Sequence, residues 1–306
     1  MERTLLGSAV GTLSGSLASA WNGLRGKSRP GPIPATIASR ATSIFSFKDV
    51  LGTGGNVVQF YNSASSPTSK DFTATELTDG TYTSWYSSGD TLVTAMYDQK
   101  GFVDFTSTTG IAPKYDASAN MGLNYKPNPY VISYLRTTTN DSDINSTFGG
   151  NSVGQGVTLL LNMKDHVFSP ASAKTGIFGI RDGNPTVFLN DRHKALNITV
   201  GTQYIGVSVR DDSYTLFDSM SDDAVDGTLR NYTGVIKKAS GTTTELNAYQ
   251  GTTEIVDADT TTISTAIELE EYTLGHREFR FQTAMMFAEG LSADDVTTLN
   301  TEIDAL

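Results

Sequence analysis

The sequence RFQTAMMFAEG at residues 280–290 runs directly into LSADDVTTLNTEI at residues 291–303. The first stretch is apolar and β-prone, and the second has the polarity pattern of an amphipathic helix. Ser292 suits the N-cap, because its hydroxyl can accept a hydrogen bond from the backbone N–H of Asp295. Asp294 and Asp295 add negative charge at the positive end of the helix dipole. The sequence therefore predicts a strand followed by a capped helix. At helical spacing, one face of that helix carries Val296, Leu299 and Ile303.

Upstream of this ending, short β-prone runs alternate with loops rich in Gly, Asp, Asn, Ser and Thr. Many short strands with few helices predict an all-β sandwich or jelly roll. The chain has no cysteine, so its stability must come from core burial rather than from disulfides. Strands are predicted at residues 56–61, 91–97, 131–135, 157–163, 176–180, 186–189, 198–200, 204–209, 233–237, 245–249 and 278–287.

Several blocks of the sequence resemble concanavalin A-like and laminin-G-like jelly-roll domains. Met96-Tyr97-Asp98-Gln99 with Gly101 resembles a "WYDQSGNG" block of these domains, and residues 246–251 (LNAYQG) resemble their "lYvNG" hairpin. The ending GLSADDVTTLNTEI resembles their "LSxxEIxxL" closing helix. Residues 100–102 (KGF) depart from the family pattern, so a shared function of that loop does not follow.

The resemblance implies a fold, a division into domains and the kinds of protein in which such a domain occurs. It covers roughly residues 40–303 and implies a concanavalin A-like jelly-roll β-sandwich over residues 41–306, ending in a short helix. Such domains occur in virion proteins of phages and large viruses and in arabinofuranosidase-type sandwiches. A helical or extended tail, residues 1–27, and a Pro/Gly-rich linker, residues 28–40, precede the sandwich.

The N-terminal tail carries no charge between Leu5 and Leu24. Small residues recur at every fourth position, a pattern that lets helices approach closely. Three interpretations remain open: a secretory signal with an Ala18-Ser19-Ala20 cleavage triplet, a membrane contact, and a tail that docks on a neighbouring subunit. We favour the docking tail. Its candidate contact residues are Leu6, Val10, Leu13, Leu17, Trp21 and Leu24.

The charge is unevenly distributed. The whole chain has a net charge of −11, but residues 1–48 carry six basic residues against one acidic residue. The acidic body is predicted to repel nucleic acid and anionic membranes, so the sequence predicts no nucleic-acid partner for it.

Four residues are candidate ligand contacts. Trp85 and Tyr86 could form an aromatic platform for a sugar ring, and Tyr97 and Asp98 lie in the block that resembles the family. The structural alternatives are core or rim packing for the aromatic rings and turn capping by Asp98.

Catalytic and metal motifs are weak. Residues 150–154 (GNSVG) fit a nucleophile-elbow pattern, but a polar stretch precedes them where a buried strand is needed. Residues 141–145 (DSDIN) begin like a calcium loop without its glycine and closing glutamate. The acidic stretch 211–226 is predicted to be a solvated loop, and the alternative is a calcium-binding site in a jelly-roll loop. No metal ligands are assigned, and calcium is the one candidate cofactor.

The sequence thus predicts a virion structural protein of a phage or large double-stranded DNA virus, without enzymatic activity. We expect a homo-oligomeric capsid-associated, decoration or tail-type subunit, docked through its tail and able to contact host glycans. The alternatives are a cell-surface glycan-binding module and an arabinofuranosidase-like glycoside hydrolase. A hydrolase would need two facing carboxylates roughly 5–10 Å apart. The candidates are Glu245, Glu254, Asp257 and Asp259.

Overall fold

The structure is a computed structural model, and it describes the residues in fourteen ranges, which hold twenty strands and two α-helices. The ranges are 36–64, 68–86, 88–125, 133–137, 146–149, 156–164, 175–181, 195–200, 204–210, 216–222, 228–240, 243–262, 266–275 and 278–306. The strands are β1 (Ser43–Ser46), β2 (Asn56–Asn62), β3 (Thr68–Thr73), β4 (Thr91–Tyr97), β5 (Asp104–Thr106), β6 (Lys114–Asp116), β7 (Met121–Asn124), β8 (Tyr134–Arg136), β9 (Ser146–Gly149), β10 (Gly156–Lys164), β11 (Thr175–Arg181), β12 (Ala195–Val200), β13 (Tyr204–Arg210), β14 (Leu216–Asp222), β15 (Arg230–Ser240), β16 (Thr243–Gln250), β17 (Thr253–Thr262), β18 (Ala266–Leu269), β19 (Glu271–Gly275) and β20 (Phe279–Phe287). The helices are α1 (Thr81–Trp85) and α2 (Ala293–Asp304), and a 3₁₀ turn spans Ala38–Arg40.

Eighteen of the strands form two antiparallel layers, and β9 and β18 form a separate two-stranded sheet. The first sheet has the order β3–β2–β4–β5–β8–β19–β11–β12–β13–β14. In the second sheet, β1 and β7 lie beside β20, and β10, β15, β16 and β17 follow in that order. Strand β6 pairs with β7 and makes one bridge to β4, which joins the two sheets along one border.

The main core lies between the sheets and is rich in aromatic side chains. Both sheets contribute side chains to this core, because the side chains of a strand alternate between its two faces and one face of each sheet meets the other. Phe45 on β1 lies 4.0 Å from Phe105 on β5, measured between ring centroids, so the two layers touch directly. This architecture confirms the predicted all-β, sandwich-like fold.

A second apolar cluster covers the outer face of the second sheet. Helix α2 contributes Val296, Leu299 and Ile303, which pack against residues such as Leu160 and Met285. The second sheet is therefore buried on both faces where α2 covers it.

The predicted ending of the chain is confirmed. The Ser292 hydroxyl accepts a hydrogen bond of 3.2 Å from the Asp295 backbone N–H, and the predicted apolar face of α2 is buried. The predicted strands at 91–97, 157–163, 245–249 and 278–287 are also confirmed, with small differences at their ends.

Two predictions of loop structure are wrong. Residues 216–222, within the predicted acidic loop, form β14 and pair along their whole length with β13. Residues 146–149, expected to be polar loop, form β9 and pair with β18. In both segments, hydrogen bonds to the neighbouring strand stabilise a β-strand although the polar composition is typical of a loop. The predicted strand at 186–189, the 150–154 motif and the 141–145 motif lie outside the described residues.

Candidate functional site

The first described residues, Thr36–Arg40, are attached to the C-terminal helix. The Glu302 carboxylate accepts hydrogen bonds from the backbone N–H groups of Ile37 and Ala38, at 3.1 and 3.0 Å. Both donors are at the start of the 3₁₀ turn, where backbone N–H groups lack partners within the turn. Glu302 therefore caps the turn from across the molecule.

Arg40 adds a second attachment at the same place. Its guanidinium makes a two-pronged contact with Glu289, at 3.0 and 2.8 Å, and reaches the Asp295 carboxylate at 3.1 Å. The side chains of Arg40 and Glu289 are 38% and 43% exposed, so the pair contributes modestly to stability. Its planar, bidentate geometry nevertheless fixes the direction of the chain. We call residues 36–40 with Glu289, Asp295 and Glu302 the N-terminal clamp.

The tail residues predicted to dock, from Leu6 to Leu24, lie outside the described residues, as does most of the linker. The clamp is where this part of the chain joins the body. Within the described ranges, neither helix is long and apolar enough to cross a bilayer.

Asp98 is buried at the turn between β4 and β5, with 3% of its surface exposed. Its carboxylate accepts backbone N–H groups of Ile44, Lys100, Phe102 and Val103, at distances from 2.8 to 3.4 Å. Burial raises the pKa of Asp98 to about 6, against the opposing effect of these hydrogen bonds. The expected turn-capping role of Asp98 is therefore present, and its use as a ligand contact stays a prediction.

Gln99 holds the neighbouring loop in the same way. Its side-chain carbonyl accepts the N–H groups of Val50 and Leu51, and its amide donates to the Lys48 carbonyl at 2.6 Å. The Lys100 ammonium donates to the Ser39 carbonyl at 2.7 Å. Residues 98–100 thus connect the first sheet to the segment that follows the N-terminal clamp.

Trp85 and Tyr86 lie at the end of α1 and are half-buried against the main core. The Trp85 ring meets Phe72 edge-on at 5.2 Å, and the Tyr86 ring stacks on Tyr82 at 5.7 Å. The Tyr86 hydroxyl donates to the Gly89 carbonyl at 2.8 Å. These contacts are those of rim packing, and the sugar platform stays a prediction.

Tyr97 lies on the outer face of the first sheet. Its hydroxyl donates to the Asp71 carboxylate at 2.7 Å, and the Gln59 amide donates to the same oxygen at 3.0 Å. Burial and the Asp71 carboxylate raise the pKa of Tyr97, which keeps its hydroxyl protonated as a donor. The structure does not bring Tyr97 together with Trp85 or Tyr86 in any described contact.

A cluster of charged side chains occupies the same outer face. Glu271 on β19 lies directly across from Arg181 on β11, and an Arg181 nitrogen is 3.1 Å from Glu271 Oε1. Arg136 on β8 lies 4.0 Å from the same oxygen. Tyr97 and Glu271 are three strands apart in this sheet, about 14 Å at ordinary strand spacing. We call Arg136, Arg181 and Glu271 the outer-face cluster.

The Glu271 carboxylate in the outer-face cluster has an unusual environment. Glu271 is fully buried, and its Oε2 has no hydrogen-bond partner. A buried carboxylate oxygen without a donor costs roughly 1–3 kcal/mol or more, so such an atom calls for an explanation. Sequence reasoning missed this cluster, because Arg181 and Glu271 are 90 residues apart and meet only through strand register. The only local signal is the charged pair Glu270-Glu271 at the start of an apolar run.

The carboxylates proposed for the hydrolase alternative do not form a facing pair in the described structure. Glu245 lies across from Thr260, and Glu254 lies across from Tyr249. The two glutamates are therefore offset by four residues, about 13 Å along the strands. Glu254 accepts a hydrogen bond from the Asn247 amide at 3.0 Å, while Glu245 lies 3.7 Å from the Lys237 ammonium. The side chains of Asp257 and Asp259 lie outside the described set.

The described residues contain no group of three or more acidic or histidine side chains that could hold a metal ion. Calcium binding therefore stays a prediction for the segments that the structure does not describe.

No protein-family model matches this chain, and no curated protein sequence matches it. Solved structures do resemble it. A GH54 α-L-arabinofuranosidase soaked with a cyclic sulfate inhibitor has a TM-score of 0.53 at 13% identity, covering 87% of this chain. The receptor-binding domain of botulinum neurotoxin D has a TM-score of 0.43 at 10% identity and covers 68% of this chain.

These matches cover only part of the known proteins. The chain spans 62% of the arabinofuranosidase and 50% of the neurotoxin domain. At this level of identity, the arabinofuranosidase match supports a shared all-β, sandwich-like fold and nothing about activity.

Proposed function

We propose that this chain is a structural subunit of a virion, in which the N-terminal tail attaches to the particle and the β-sandwich body is displayed. In this proposal the body is a concanavalin A-like jelly roll and the subunit belongs to the capsid surface or the tail. The sequence blocks resemble those of virion domains of this class, and this resemblance supports placing the chain in a virion. The acidic body suits display, since it repels nucleic acid and anionic membranes.

The observation that carries the proposal is the N-terminal clamp. A body displayed in a fixed orientation needs a rigid joint to its attachment segment, because a frayed joint lets the body swing and opens the connecting chain to protease. Glu302 and Arg40 supply this joint by binding the first described turn to the C-terminal helix. That helix is in turn packed on the second sheet through Val296 and Leu299, so the joint is continuous with the core.

The proposal includes homo-oligomeric assembly and a glycan as the ligand of the body. The alternative is an arabinofuranosidase-like glycoside hydrolase. The specific observation that favours the alternative is Glu271, a fully buried carboxylate in a sandwich whose fold an arabinofuranosidase shares.

Quantitative mass spectrometry of purified particles tests the proposal. Particles from the culture that expresses this chain should contain it in a fixed copy number relative to the main shell protein. A chain lacking residues 1–35 should remain folded, because the clamp begins at residue 36, but should be absent from particles. Finding the full chain only outside particles would overturn the proposal.

A matched pair of variants tests the clamp itself. The double variant Arg40→Ala/Glu302→Ala removes both attachments, whereas Lys70→Ala/Glu76→Ala removes a surface pair at 4.0 Å elsewhere on the body. We expect protease to cleave the clamp variant near residue 36 and so to remove its body from the particles. Equal retention and equal protease resistance of the two variants would contradict the role of the clamp.

A further inference from the structure

We infer that the body presents a docking surface beside the N-terminal clamp, and that its occupant is the apolar tail of a neighbouring copy of this chain. The occupying segment is the uncharged stretch from Leu5 to Leu24. This inference rests on the tail attachment in the proposed function and names the surface that receives the tail.

Exposed apolar side chains are the first argument. In the part of the chain that the structure describes, three large apolar side chains are exposed: Phe102 at 48%, Leu229 at 38% and Leu306 at 46%. Exposed apolar residues scattered singly need no explanation, whereas a group of them on one part of the surface marks an interaction site. The contacts of their neighbours place all three around the clamp and the end of α2.

Phe102 and Leu306 are both linked to the first described turn. Phe102 lies two residues after Lys100, whose ammonium donates to the Ser39 carbonyl at 2.7 Å. Leu306 lies four residues beyond Glu302, whose carboxylate caps that turn. Both exposed side chains are therefore near the point where the tail joins the body.

Leu229 reaches the same region from the second sheet. It lies two residues before Asn231 on β15, whose amide donates to the Asp304 carboxylate at 2.8 Å near the end of α2. The half-buried side chains of Ile37 and Val50 pack against the cluster beneath α2 and add apolar surface. We call the following residues the entry surface: Ile37, Val50, Phe102, Leu229 and Leu306.

Charge complementarity is the second argument. The clamp and α2 together carry five carboxylates, those of Glu289, Asp294, Asp295, Glu302 and Asp304. Arg40 is their one basic residue, and adding Lys100 and Arg230 from beside the entry surface still leaves a net charge of −2, five acidic groups against three basic ones. The negative end of the α2 dipole adds to this charge near Leu306. The tail is complementary, because its apolar stretch is followed by three basic residues and no acidic residue at positions 25–29.

The linker is the third argument, because it favours a neighbouring copy over the same copy. It contains Pro30, Pro32 and Pro34, which favour a stiff, extended chain. From Leu24 to Thr36 such a chain spans about 37 Å, at about 3.1 Å per residue. The entry surface lies beside Thr36, so an extended linker carries the tail away from its own entry surface and towards that of the next copy.

The predicted contact joins copies head to tail. The tail and the entry surface are different parts of the chain, so each copy gives its tail to one neighbour and receives a tail from another. Contacts of this kind close into a ring or continue as a filament. A closed ring has a fixed number of copies, which agrees with the fixed copy number expected of a particle subunit.

Complementary variants of the full chain test the inference. The tail variant Leu13→Asp/Leu17→Asp places charge on the apolar stretch, and the surface variant Phe102→Ser/Leu306→Ser removes two exposed apolar side chains. Sedimentation velocity measures association, and we expect the unchanged chain to self-associate. Each variant should raise the dissociation constant by about tenfold or more, since each removes large apolar side chains from the contact. Tyr61→Ser is the matched control, because Tyr61 is a half-exposed aromatic residue on β2 of the first sheet, and it should associate as the unchanged chain does.

A one-to-one mixture of the two variants tests whether the tail crosses between copies. The surface variant keeps an intact tail, and the tail variant keeps an intact entry surface. We therefore expect the mixture to form a heterodimer at a concentration where neither variant self-associates. Absence of the heterodimer would overturn the pairing of tail and entry surface. If circular dichroism shows that the surface variant is unfolded, the tail variant decides, since its substitutions lie outside the body.

The remaining outcomes identify other occupants. An unchanged chain that stays monomeric overturns the inference, and so does self-association that neither variant weakens. Association that requires another particle protein would overturn a second copy as the partner.

The outcomes also separate this inference from the proposed function. A chain that is monomeric in solution but present in particles in a fixed copy number refutes the inference and keeps the proposal. Tail-dependent self-association of a chain that is absent from particles keeps the inference and refutes the virion role.

Discussion

Replacing Asp98 by alanine should destabilise the body strongly, although the residue has no contact with the outer-face cluster. The carboxylate accepts four backbone N–H groups, and two of these belong to the fully buried residues Ile44 and Val103. Each buried donor left without a partner costs about 1–3 kcal/mol. The donors of Lys100 and Phe102 are nearer the surface and can bond to water instead.

The expected loss for Asp98→Ala is therefore about 2–6 kcal/mol, with about 4 kcal/mol as the central value. Urea unfolding followed by circular dichroism measures it, with the slope of the transition checked for two-state behaviour. Asp79→Ala is the control, because the exposed Asp79 carboxylate accepts one bond, from the Thr81 N–H at 2.8 Å. It should cost much less than Asp98→Ala, because surface substitutions away from buried groups have small effects. A loss below about 1 kcal/mol for Asp98→Ala would refute the idea that this carboxylate organises the turn.

Four further measurements test the fold. Burial raises the pKa of Asp98 from 3.8 to about 6, so the stabilisation that comes from protonating Asp98 should be full below about pH 4 and should be lost as the pH rises through about 6. Asp98→Asn should remove this pH dependence of the free energy of unfolding. Parallel pH profiles of the variant and the unchanged chain would contradict the raised pKa. Ser292→Ala should cost about 1 kcal/mol in thermal or urea unfolding and Ser292→Gly only a few tenths, so equal losses would argue against the cap. Leu299→Ala should cost about 2–5 kcal/mol because Leu299 is fully buried under the second sheet, and a loss below 1 kcal/mol would show that α2 is not docked. Gly156→Ala places a methyl group 2.1 Å from the Gly290 nitrogen, so it should abolish soluble expression or lower the melting temperature by many degrees, and normal behaviour would refute that close approach.

Local chemistry allowed part of this fold to be predicted from the sequence. The cap at Ser292 and the β-prone run at residues 91–97 depend on neighbours within one element, and both the cap and the strand are present in the structure. The turn-capping alternative for Asp98 also follows from local chemistry, since short acidic side chains bond nearby backbone N–H groups.

The remaining features depend on strand register and long-range contacts. Glu302 and Ile37 are 265 residues apart, and no local pattern indicates that one caps the other. Arg181 and Glu271 meet because β11 and β19 pair in one particular register. Strand β14 was missed because its acidic composition is typical of loops, whereas its pairing with β13 comes from the assembled sheet.

The N-terminal clamp also has a topological consequence. The turn at Ile37 is hydrogen-bonded to Glu302 of helix α2, so the first and last described segments of the body lie side by side. Chains whose ends meet in this way tolerate circular permutation and insertion into other proteins. Residue 306 could be joined to residue 36 by a short linker and new ends opened in a surface turn such as that at Gly251. The same geometry allows the sandwich to be inserted as a unit into a loop of another protein.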